Sequence, residues 1–583
     1  MFVNINIDID NMTHEGVFCV SGTSPDTCNP FASAIPVPTP VAIARDSPSV
    51  LLRNVLVPDV TSYARRDVVL ANGKIEAIAN ANEADVPTGA EVIDCTHRML
   101  MPGFVNAHTH STEHWTRGLI LPLPLELWVL ELMRHTPVGD KGWHDEDSFV
   151  RTAAAYGGLS AIHCGAEAML SGCTAIVDHL FARNADDVGA AVQGYKALGI
   201  RAFIAPMLND DAVFYSNYIP RARDAEGRNA AIAEGGCPCC AMGKDGVFRT
   251  AKDGRDPAKT EAALALWKEC VERYHDPAGG IEIVVGPVTA YSASEELLRG
   301  CAEIRKKYNL LGHAFARDAG SAVKHLRDTG FLDTGGRPTS CAHTVWLDDE
   351  EIRIMAECNA TAVHNPLSNL RLGSGVMPVA RFREAGVNVA IGCDGSCSSD
   401  GQDMLEAIKS ATILAPIQTP DYRDWPRASD LALNVAARNG YKGVGTNAGV
   451  IEVGAEADVT LWDLTAMSML PRTDPLSLLI QGSRTQSKAA GSALNSAWVR
   501  GKRVIAFGEL VGVDLAKLRE ILIAAQPEYR DMSVTNPTTD SASTASAEVE
   551  YRAAMGLDPS NETEPRSAYK FEEHRALYDP HLT

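Results

Sequence analysis

The stretch from residue 100 to residue 110 reads LMPGFVNAHTH and ends in two histidines, His108 and His110. In a β-strand the side chains at positions i and i+2 point to the same face, so the two imidazole rings would project together. Neutral imidazole is the commonest metal ligand, and two adjacent rings form half of a tetrahedral site. A pair of surface histidines in a loop is the alternative, and further ligands elsewhere in the chain would decide against it.

Three further candidate residues stand at the ends of short apolar segments. His313 follows YNLLG, His343 follows TSCA, and Asp394 follows VNVAIGC. Catalytic side chains of a parallel barrel lie at the carboxyl ends of its strands, so these residues would meet His108 and His110 at one face. Three histidines and a carboxylate suit one Zn²⁺ ion with a water as an additional ligand, although Fe²⁺, Mn²⁺ or Co²⁺ would accept the same donors.

The central part of the chain, residues 101–446, alternates short apolar strands with helical patterns. The strand-like segments include GCTAIVDHLFA, GIRAFIAPML, IEIVVGPV and NATAVHNPL, and the helical ones include AALALWKECVERYHD and SEELLRGCAEIRKKY. Apolar strands joined by helices indicate a parallel sheet covered on both faces. About eight such units predict an α/β fold, a (β/α)8 TIM barrel. An open doubly wound sheet is the alternative, but no GxGxxG turn supports it.

Two β-rich segments flank this centre, and we expect residues 49–100 and 447–513 to build one small composite β-sandwich domain. An Asn-Gly pair in DVVLANGKIEAIA marks a hairpin. Residues 1–48 form a predicted N-terminal extension and residues 514–583 a C-terminal one. A predicted insertion at about residues 216–260 contains Cys237, Cys239 and Cys240; without a partner CxxC, a loop is favoured over a zinc knot.

The composition restricts the possible partners and the compartment. A formal net charge of -21 argues against nucleic acid or an anionic membrane as partner. No apolar run approaches the ~20 residues that span a bilayer, and the first residues do not resemble a secretory signal. The 14 cysteines are ordinary usage for 583 residues. We therefore expect a reduced, cytoplasmic protein with a small-molecule substrate.

Several motifs resemble the amidohydrolase superfamily. They are MPGFVNAHTHS, CAHTVWLDDEEI, VHNPLSNLRLGSGVMPVARFREAGVNVAIGCDG and GAEADVTLWDL. The branch that they resemble contains methylthioadenosine/S-adenosylhomocysteine deaminases and triazine chlorohydrolases and aminohydrolases. The likeness runs from about residue 49 to about residue 512 and implies a (β/α)8 barrel with a β-sandwich. It also implies one metal ion held by His108, His110, His313 and Asp394, with His343 polarising the substrate, and by analogy a homo-oligomer, a dimer or tetramer.

Two positions depart from the family pattern. Deaminases of this branch carry a glutamate three positions after the histidine of the fifth strand, where this chain has Ala316; Val288 replaces a histidine in GPVTAYSAS. Without that acid, ring deamination would lose a factor of ~10²–10⁴. We therefore expect metal-dependent hydrolysis of an amide, urea or carbamate-like C–N bond in a small aromatic or heterocyclic compound.

Other functions remain as alternatives. One is an aminohydrolase, deaminase or chlorohydrolase that acts on a purine, pterin or triazine. Another is a non-catalytic binding protein on a degenerate barrel, and a third is an assembly subunit that works through its extensions.

The expected mechanism gives each catalytic residue one role. A bound ion makes water acidic enough to react near neutral pH, Asp394 accepts the proton of that water, and His343 stabilises the charge that develops on the substrate. The candidate substrate contacts are aromatic or lie beside the last strands; for each of them a role in the core or at a strand end is the alternative. They are Trp115, Tyr291, Phe315, His364 and Asn365.

Overall fold

The computed structural model describes residues 49–120, 122–135, 149–210, 257–290, 293–316, 322–332, 335–482 and 492–534. The predicted N-terminal extension, nearly all of the predicted insertion with its three cysteines, and residues 535–583 lie outside the described residues. In the described part, no helix is long and apolar enough to cross a membrane.

Short parallel strands of the central segment form two sheets. One contains β6 (Phe104–Thr109), β7 (Cys173–Leu180), β8 (Arg201–Leu208), β9 (Ile281–Ile283) and β10 (Gly286–Pro287), in the order β10-β8-β7-β6 with β9 also on β8. The other contains β11 (Gly312–Ala316), β12 (Thr339–His343), β13 (Thr361–His364) and β14 (Asn388–Ile391), in sequence order. The strands expected from the apolar segments are thus confirmed, and their pairing is parallel throughout.

Backbone contacts join the two parallel sheets at both edges. Parallel bridges pair Val285 with Gly312 and Thr289 with Phe315. At the opposite edge, the Asp394 N–H donates to the His108 carbonyl at 2.8 Å. The second contact brings the carboxyl ends of β6 and β14, the first and last strands of this segment, to the same place.

Both faces of the parallel strands are buried, as their apolar sequences predict. Residues from both sheets, among them Val105, Val177, Phe203, Val363 and Ala390, share one apolar cluster. Their sequence neighbours pack into the main core under the helices instead. Each fully buried aliphatic or aromatic side chain contributes about 1.5–3 kcal/mol, so this double burial holds the strand ends in place.

Helices follow most of the parallel strands and cover their outer faces. The α-helices are Leu125–His135, Phe149–Leu170, Ala185–Leu198, Pro257–Tyr274, Glu295–Tyr308, Ala322–Asp328, Asp349–Glu357, Pro366–Arg371, Val379–Glu384, Ser396–Ser399, Met404–Gln418, Ala428–Asp430, Asn439–Gly443, Pro475–Gly482 and Leu515–Val534, with a π-helix at Leu431–Arg438. The 3-10 helices are Ser111–Trp115, Pro277–Gly279, Tyr422–Asp424 and Met467–Met469.

Strands from both flanking segments form one mostly antiparallel sheet of nine strands. The N-terminal flank supplies β1 (Val50–Pro58), β2 (Tyr63–Ala71), β3 (Lys74–Asn80), β4 (Glu91–Asp94) and β5 (Arg98–Pro102), and the C-terminal flank supplies β15 (Val459–Asp463), β16 (Leu494–Val499), β17 (Lys502–Ala506) and β18 (Glu509–Leu510). The two flanks meet where β5 pairs with β15. The predicted hairpin is confirmed, because Asn72 and Gly73 turn from β2 to β3 with φ values of 53° and 77°.

A buried ion pair ties this mixed sheet to the parallel strands. Arg201, the first residue of β8, places its Nε 2.5 Å from Asp458 Oδ2 and also contacts Glu456. The Tyr441 hydroxyl donates to the same Asp458 oxygen at 2.8 Å. Burial and ion pairing have opposite effects on the pKa of Arg201. Desolvation lowers this pKa, and the neighbouring carboxylates raise it by more, so the net shift is upward.

Replacing Asp458 by asparagine should lower the free energy of unfolding by about 3 kcal/mol, because the substitution leaves a buried guanidinium with one carboxylate instead of two. Thermal unfolding followed by circular dichroism measures the change. The matched control is Glu357→Gln, which breaks an ion pair with Arg353 whose two side chains are both 65% exposed and should leave the midpoint unchanged. Equal midpoints for the two variants would show that the buried pair does not stabilise the junction.

Candidate active site

The two histidines of the HTH motif meet at the end of β6. Their ring centroids are 4.8 Å apart, and both side chains are buried or nearly so. His110 Nδ1 lies 2.6 Å from the His179 carbonyl oxygen. That carbonyl can only accept, so Nδ1 carries the proton and the lone pair of His110 is on Nε2.

His313 and Asp394 complete a compact group around these rings. His313 Nε2 lies 2.8 Å from His108 Nδ1, while its own Nδ1 contacts the Ser340 hydroxyl at 2.7 Å. Asp394 Oδ1 lies 3.4 Å from Nε2 of both His108 and His110. His108 is the next-to-last residue of β6, His110 directly follows β6, and Asp394 follows the end of β14. His313, in contrast, is the second residue of β11 and not its last.

The donor atoms around Asp394 Oδ1 have the spacing of metal ligands. Ligand atoms of a tetrahedral zinc site lie about 3.3 Å apart, close to the 3.4 Å separations around Asp394 Oδ1. His108 Nε2 is buried and makes no hydrogen bond within the described part of the chain. Burial lowers the pKa of His108 to about 3 and that of His313 well below its usual value. Both imidazoles are therefore neutral, which is the form that binds metal.

His343 adjoins this group, and the ligand atoms of His108, His343 and Asp394 all lie within 4.8 Å of one another. Its Nε2 lies 3.6 Å from Asp394 Oδ2, and its Nδ1–H donates to Asn369 Oδ1 at 2.8 Å. His343 and Asp394 both have left-handed backbones, with φ values of 74° and 69°. Such conformations cost a non-glycine residue about 1–3 kcal/mol and collect at functional sites.

A small cavity of about 40 Å³ opens onto the group. Four of its ten lining side chains are apolar, and the carboxyl groups of Asp394 and Glu113 face it together with the histidines. The lining residues are His110, Glu113, Leu125, Trp128, Phe315, His343, Leu372, Ser374, Asp394 and Ser398. The cavity therefore suits a small, largely apolar molecule that presents one polar group to the histidines.

Glu113 is a lining residue that sequence reasoning missed. Its side chain is buried against the segment after Asp394: a Cβ on Gly395 would lie 1.9 Å from Glu113 Oε2, so the approach requires glycine. The Cys397 N–H donates to that oxygen at 3.2 Å. Burial, followed by the Asp394 carboxylate, raises the pKa of Glu113 to about 8 against the lowering effect of His110 and this N–H. Its position three residues after His110, in HTHSTE, was the available signal.

His179 is the second residue that sequence reasoning missed. It lies on β7, with its ring centroid 5.0 Å from that of His313 and 5.7 Å from that of His110. His108, His179 and His313 form a buried trio that could hold a metal ion. The signal was again in the sequence, because GCTAIVDHLFA places this histidine near the end of a predicted strand.

The candidate substrate contacts occupy different places. Phe315 lines the cavity, with its ring centroid 4.5 Å from that of His343. Asn365 Nδ2 lies 3.5 Å from His343 Nδ1, behind that ring. Trp115 packs at the edge of the main core. His364 lines a separate groove of about 260 Å³ along helices Val379–Glu384 and Met404–Gln418. Tyr291 lies outside the described residues.

Comparisons with known proteins agree with this architecture. The model of the amidohydrolase family matches residues 99–504. The chain therefore belongs to the amidohydrolase family.

Among characterised relatives, a 5'-deoxyadenosine deaminase from Methanothermobacter thermautotrophicus is 28% identical over 83% of this chain and 99% of its own length. A 5-methylthioadenosine/S-adenosylhomocysteine deaminase from Thermococcus kodakarensis is 30% identical over 74% of this chain and 89% of its own length.

Solved structures show the same fold at lower identity. A zinc-bound adenosine deaminase from Xanthomonas campestris superposes with a TM-score of 0.64 at 23% identity, over 83% of this chain and 98% of its own. An atrazine chlorohydrolase from Arthrobacter aurescens, complexed with zinc, superposes with a TM-score of 0.64 at 20% identity. The match covers 82% of this chain and 100% of the chlorohydrolase chain. The fold is thus the α/β fold of TIM-barrel type, as expected. The chain is a metal-dependent hydrolase that acts on carbon–nitrogen bonds.

Proposed function

We propose that His108, His110, His313 and Asp394 hold one divalent metal ion, with Zn²⁺ the first choice and Fe²⁺, Mn²⁺ or Co²⁺ as alternatives. The support is the 3.4 Å spacing around Asp394 Oδ1 and the neutral state of the His108 and His313 imidazoles. The Ser340 hydroxyl and the His179 carbonyl fix the outer nitrogens of two rings, an arrangement that orients metal ligands in proteins. A bound ion would supply water that loses its proton near neutral pH.

The chain's own residues would then divide the chemistry between them. Asp394 keeps its charge, because the surrounding histidines hold the pKa of its carboxyl well below the usual value against the effect of burial. It accepts the proton of the attacking water and returns it to the leaving nitrogen. His343, held by Asn369 from behind, directs its other nitrogen toward the cavity and stabilises the charge that develops on the substrate.

The proposed reaction is hydrolysis of an amide, urea or carbamate-like C–N bond in a small aromatic or heterocyclic compound. The single observation that carries this choice is Ala316. It ends β11 beside His343 in the parallel register and is fully buried, so the position where related deaminases carry an acid offers a methyl group. Cleavage outside the ring does not need an acid for a ring nitrogen, since one carboxylate can serve as base and then as acid.

Replacing His343 by asparagine should lower kcat by about 10²–10³, because the variant loses a charge-stabilising donor, while the metal content per chain stays as in the wild type. Steady-state assays on anilide, urea and carbamate substrates, together with elemental mass spectrometry, measure both quantities. The comparison variant is Asp394→Ala, which should lose both metal and activity. Full activity in His343→Asn would remove His343 from the mechanism.

Deamination of an N-heterocycle is the second candidate, and Glu113 is the observation that favours it. Its carboxyl lines the cavity and can hold a proton near neutral pH, so it could serve in place of the acid missing at Ala316. The relatives from Methanothermobacter thermautotrophicus and Thermococcus kodakarensis are deaminases of adenosine-type compounds, which supports the same reaction class. A chlorohydrolase activity has support only from the fold neighbour named above.

Replacing Glu113 by glutamine discriminates between the two candidates, since the amide fills the same space without a transferable proton. If ring deamination is the reaction, kcat for aminated heterocycles should fall by about 10²–10⁴. Our preferred reaction predicts a much smaller change for anilides and ureas. Ammonia and amine release, assayed on both substrate sets, gives the ratio; a large loss confined to ring substrates that the wild type turns over readily would favour deamination.

We also propose the finer architecture expected from the sequence. Closure of the two parallel sheets into one barrel is supported by their shared apolar cluster and by contacts at both edges. A β-sandwich built from residues 49–100 and 447–513 is supported by the pairing of β5 with β15. A cytoplasmic homodimer or homotetramer that acts on small molecules, without nucleic acid or membrane partners, remains a proposal from charge and family analogy.

A further inference from the structure

A second group of metal-ligand side chains lies outside the cavity lining. His114 belongs to the 3-10 helix Ser111–Trp115, directly after the HTH motif. His163 and Glu167 lie on helix Phe149–Leu170. Residues four apart on a helix share a face, so this helix presents one imidazole and one carboxylate together to His114.

The three side chains have the separations of a metal site. His114 Nε2 lies 3.4 Å from Glu167 Oε2, and His163 Nε2 lies 3.7 Å from Glu167 Oε1. The two ring centroids are 4.6 Å apart with the ring planes at 68°. All three ligand atoms lie within 4.8 Å of one another. Ligand atoms on a tetrahedral ion are about 3.3 Å apart, so small side-chain movements would bring all three onto one ion.

The group is closed on one side and open on the other. The His114 side chain is 1% exposed and that of His163 is 32% exposed. An ion could therefore reach the group from the His163 side, where the chain leaves it partly open, and keep water as its remaining ligand.

Neighbouring groups orient the three side chains. The Ser396 hydroxyl lies 2.9 Å from His114 Nδ1 and 3.2 Å from its Nε2. The Gln402 N–H donates to Glu167 Oε2 at 3.3 Å. Metal-binding histidines usually engage such a partner with the nitrogen that does not bind the metal. Both partners lie in the segment that follows Asp394.

The ion pair between Arg117 and Glu167 does not by itself account for the position of the two histidines. Arg117 donates to Glu167 Oε1 at 2.6 Å and already neutralises that carboxylate. This ion pair would form equally well without the two imidazole rings that pack edge to face next to it. Glu167 Oε2, which lies 3.4 Å from His114 Nε2, is not the oxygen that Arg117 contacts.

We propose that His114, His163 and Glu167 bind a second divalent metal ion of the zinc class, with a structural role. The ion joins the 3-10 helix after His110 to helix Phe149–Leu170 and, through Ser396, to the segment after Asp394. It thereby stabilises two segments next to the metal site proposed above for His108, His110, His313 and Asp394, called here the main site. This site is independent of the reaction proposed above, because its residues do not line the cavity.

Zinc content per chain tests the proposal on the full-length protein. Protein stripped with a chelator, reloaded with zinc and dialysed should hold about two ions per chain, and His163→Ala should hold about one fewer. His97→Ala is the matched control, since His97 is exposed and belongs to none of the candidate metal groups. His163→Gln, which keeps more of the side-chain volume, should lose the same ion. Equal zinc content in the wild type and both His163 variants would overturn the proposal.

A second measurement separates the two sites. In Asp394→Ala, where the main site is disabled, added zinc should still raise the thermal midpoint, because an ion that binds only the folded state stabilises it. The double variant Asp394→Ala/His163→Ala should show no such shift. A zinc-dependent shift of equal size in both would overturn the second site. Failure of the main site would instead appear as an unchanged zinc content on replacing Asp394.

Discussion

The contact between the first and last parallel strands is the constraint on which the rest of the structure depends. The Asp394 N–H donates to the His108 carbonyl, so the carboxylate of one strand end is fixed beside the imidazoles of the other. Residues nearly 300 positions apart become neighbours only because the intervening strands are parallel and buried on both faces. The left-handed backbone at Asp394 is the local cost of turning the chain directly after this contact.

The electrostatics of the site follow from this placement. Burial keeps the imidazoles of His108 and His313 neutral, and the histidines around Asp394 keep its carboxyl ionised. A cluster of neutral nitrogens around one negative charge favours binding of a divalent cation. Without a cation, burying that carboxylate is unfavourable. Glu113 is the exception at the same cavity. Its carboxyl is buried near two other carboxylates, Asp394 and Asp178, so it favours the protonated form.

One rule about strand ends was enough to predict part of the site from the sequence. A polar residue at the end of an apolar strand is expected to point to the catalytic face, and the structure brings the residues chosen by that rule, His108, His110, His343 and Asp394, close together. The same apolar segments predicted every parallel strand, and Asn72-Gly73 predicted its hairpin. His179 obeys the same rule, since it is the next-to-last residue of β7.

Other features could not be derived from spacing. Glu113 reaches the cavity because Gly395 lacks a side chain, a contact between positions 113 and 395 that no local pattern encodes. His364, at the end of β13, lines a different groove, although its place in the sequence resembles that of His343. His114 and His163 are brought together by the packing of a 3-10 helix on a long helix, which is a tertiary property. Periodicity locates elements, but neighbouring side chains from different elements are fixed by packing.

Anomalous diffraction from crystals of the zinc-loaded enzyme, recorded on both sides of the zinc absorption edge, tests the central claim most directly. The account predicts a strong peak about 2.0–2.3 Å from ligand atoms of His108, His110, His313 and Asp394, with His343 outside bonding distance. An enzyme that hydrolyses its substrate while no metal occupies this position would contradict it.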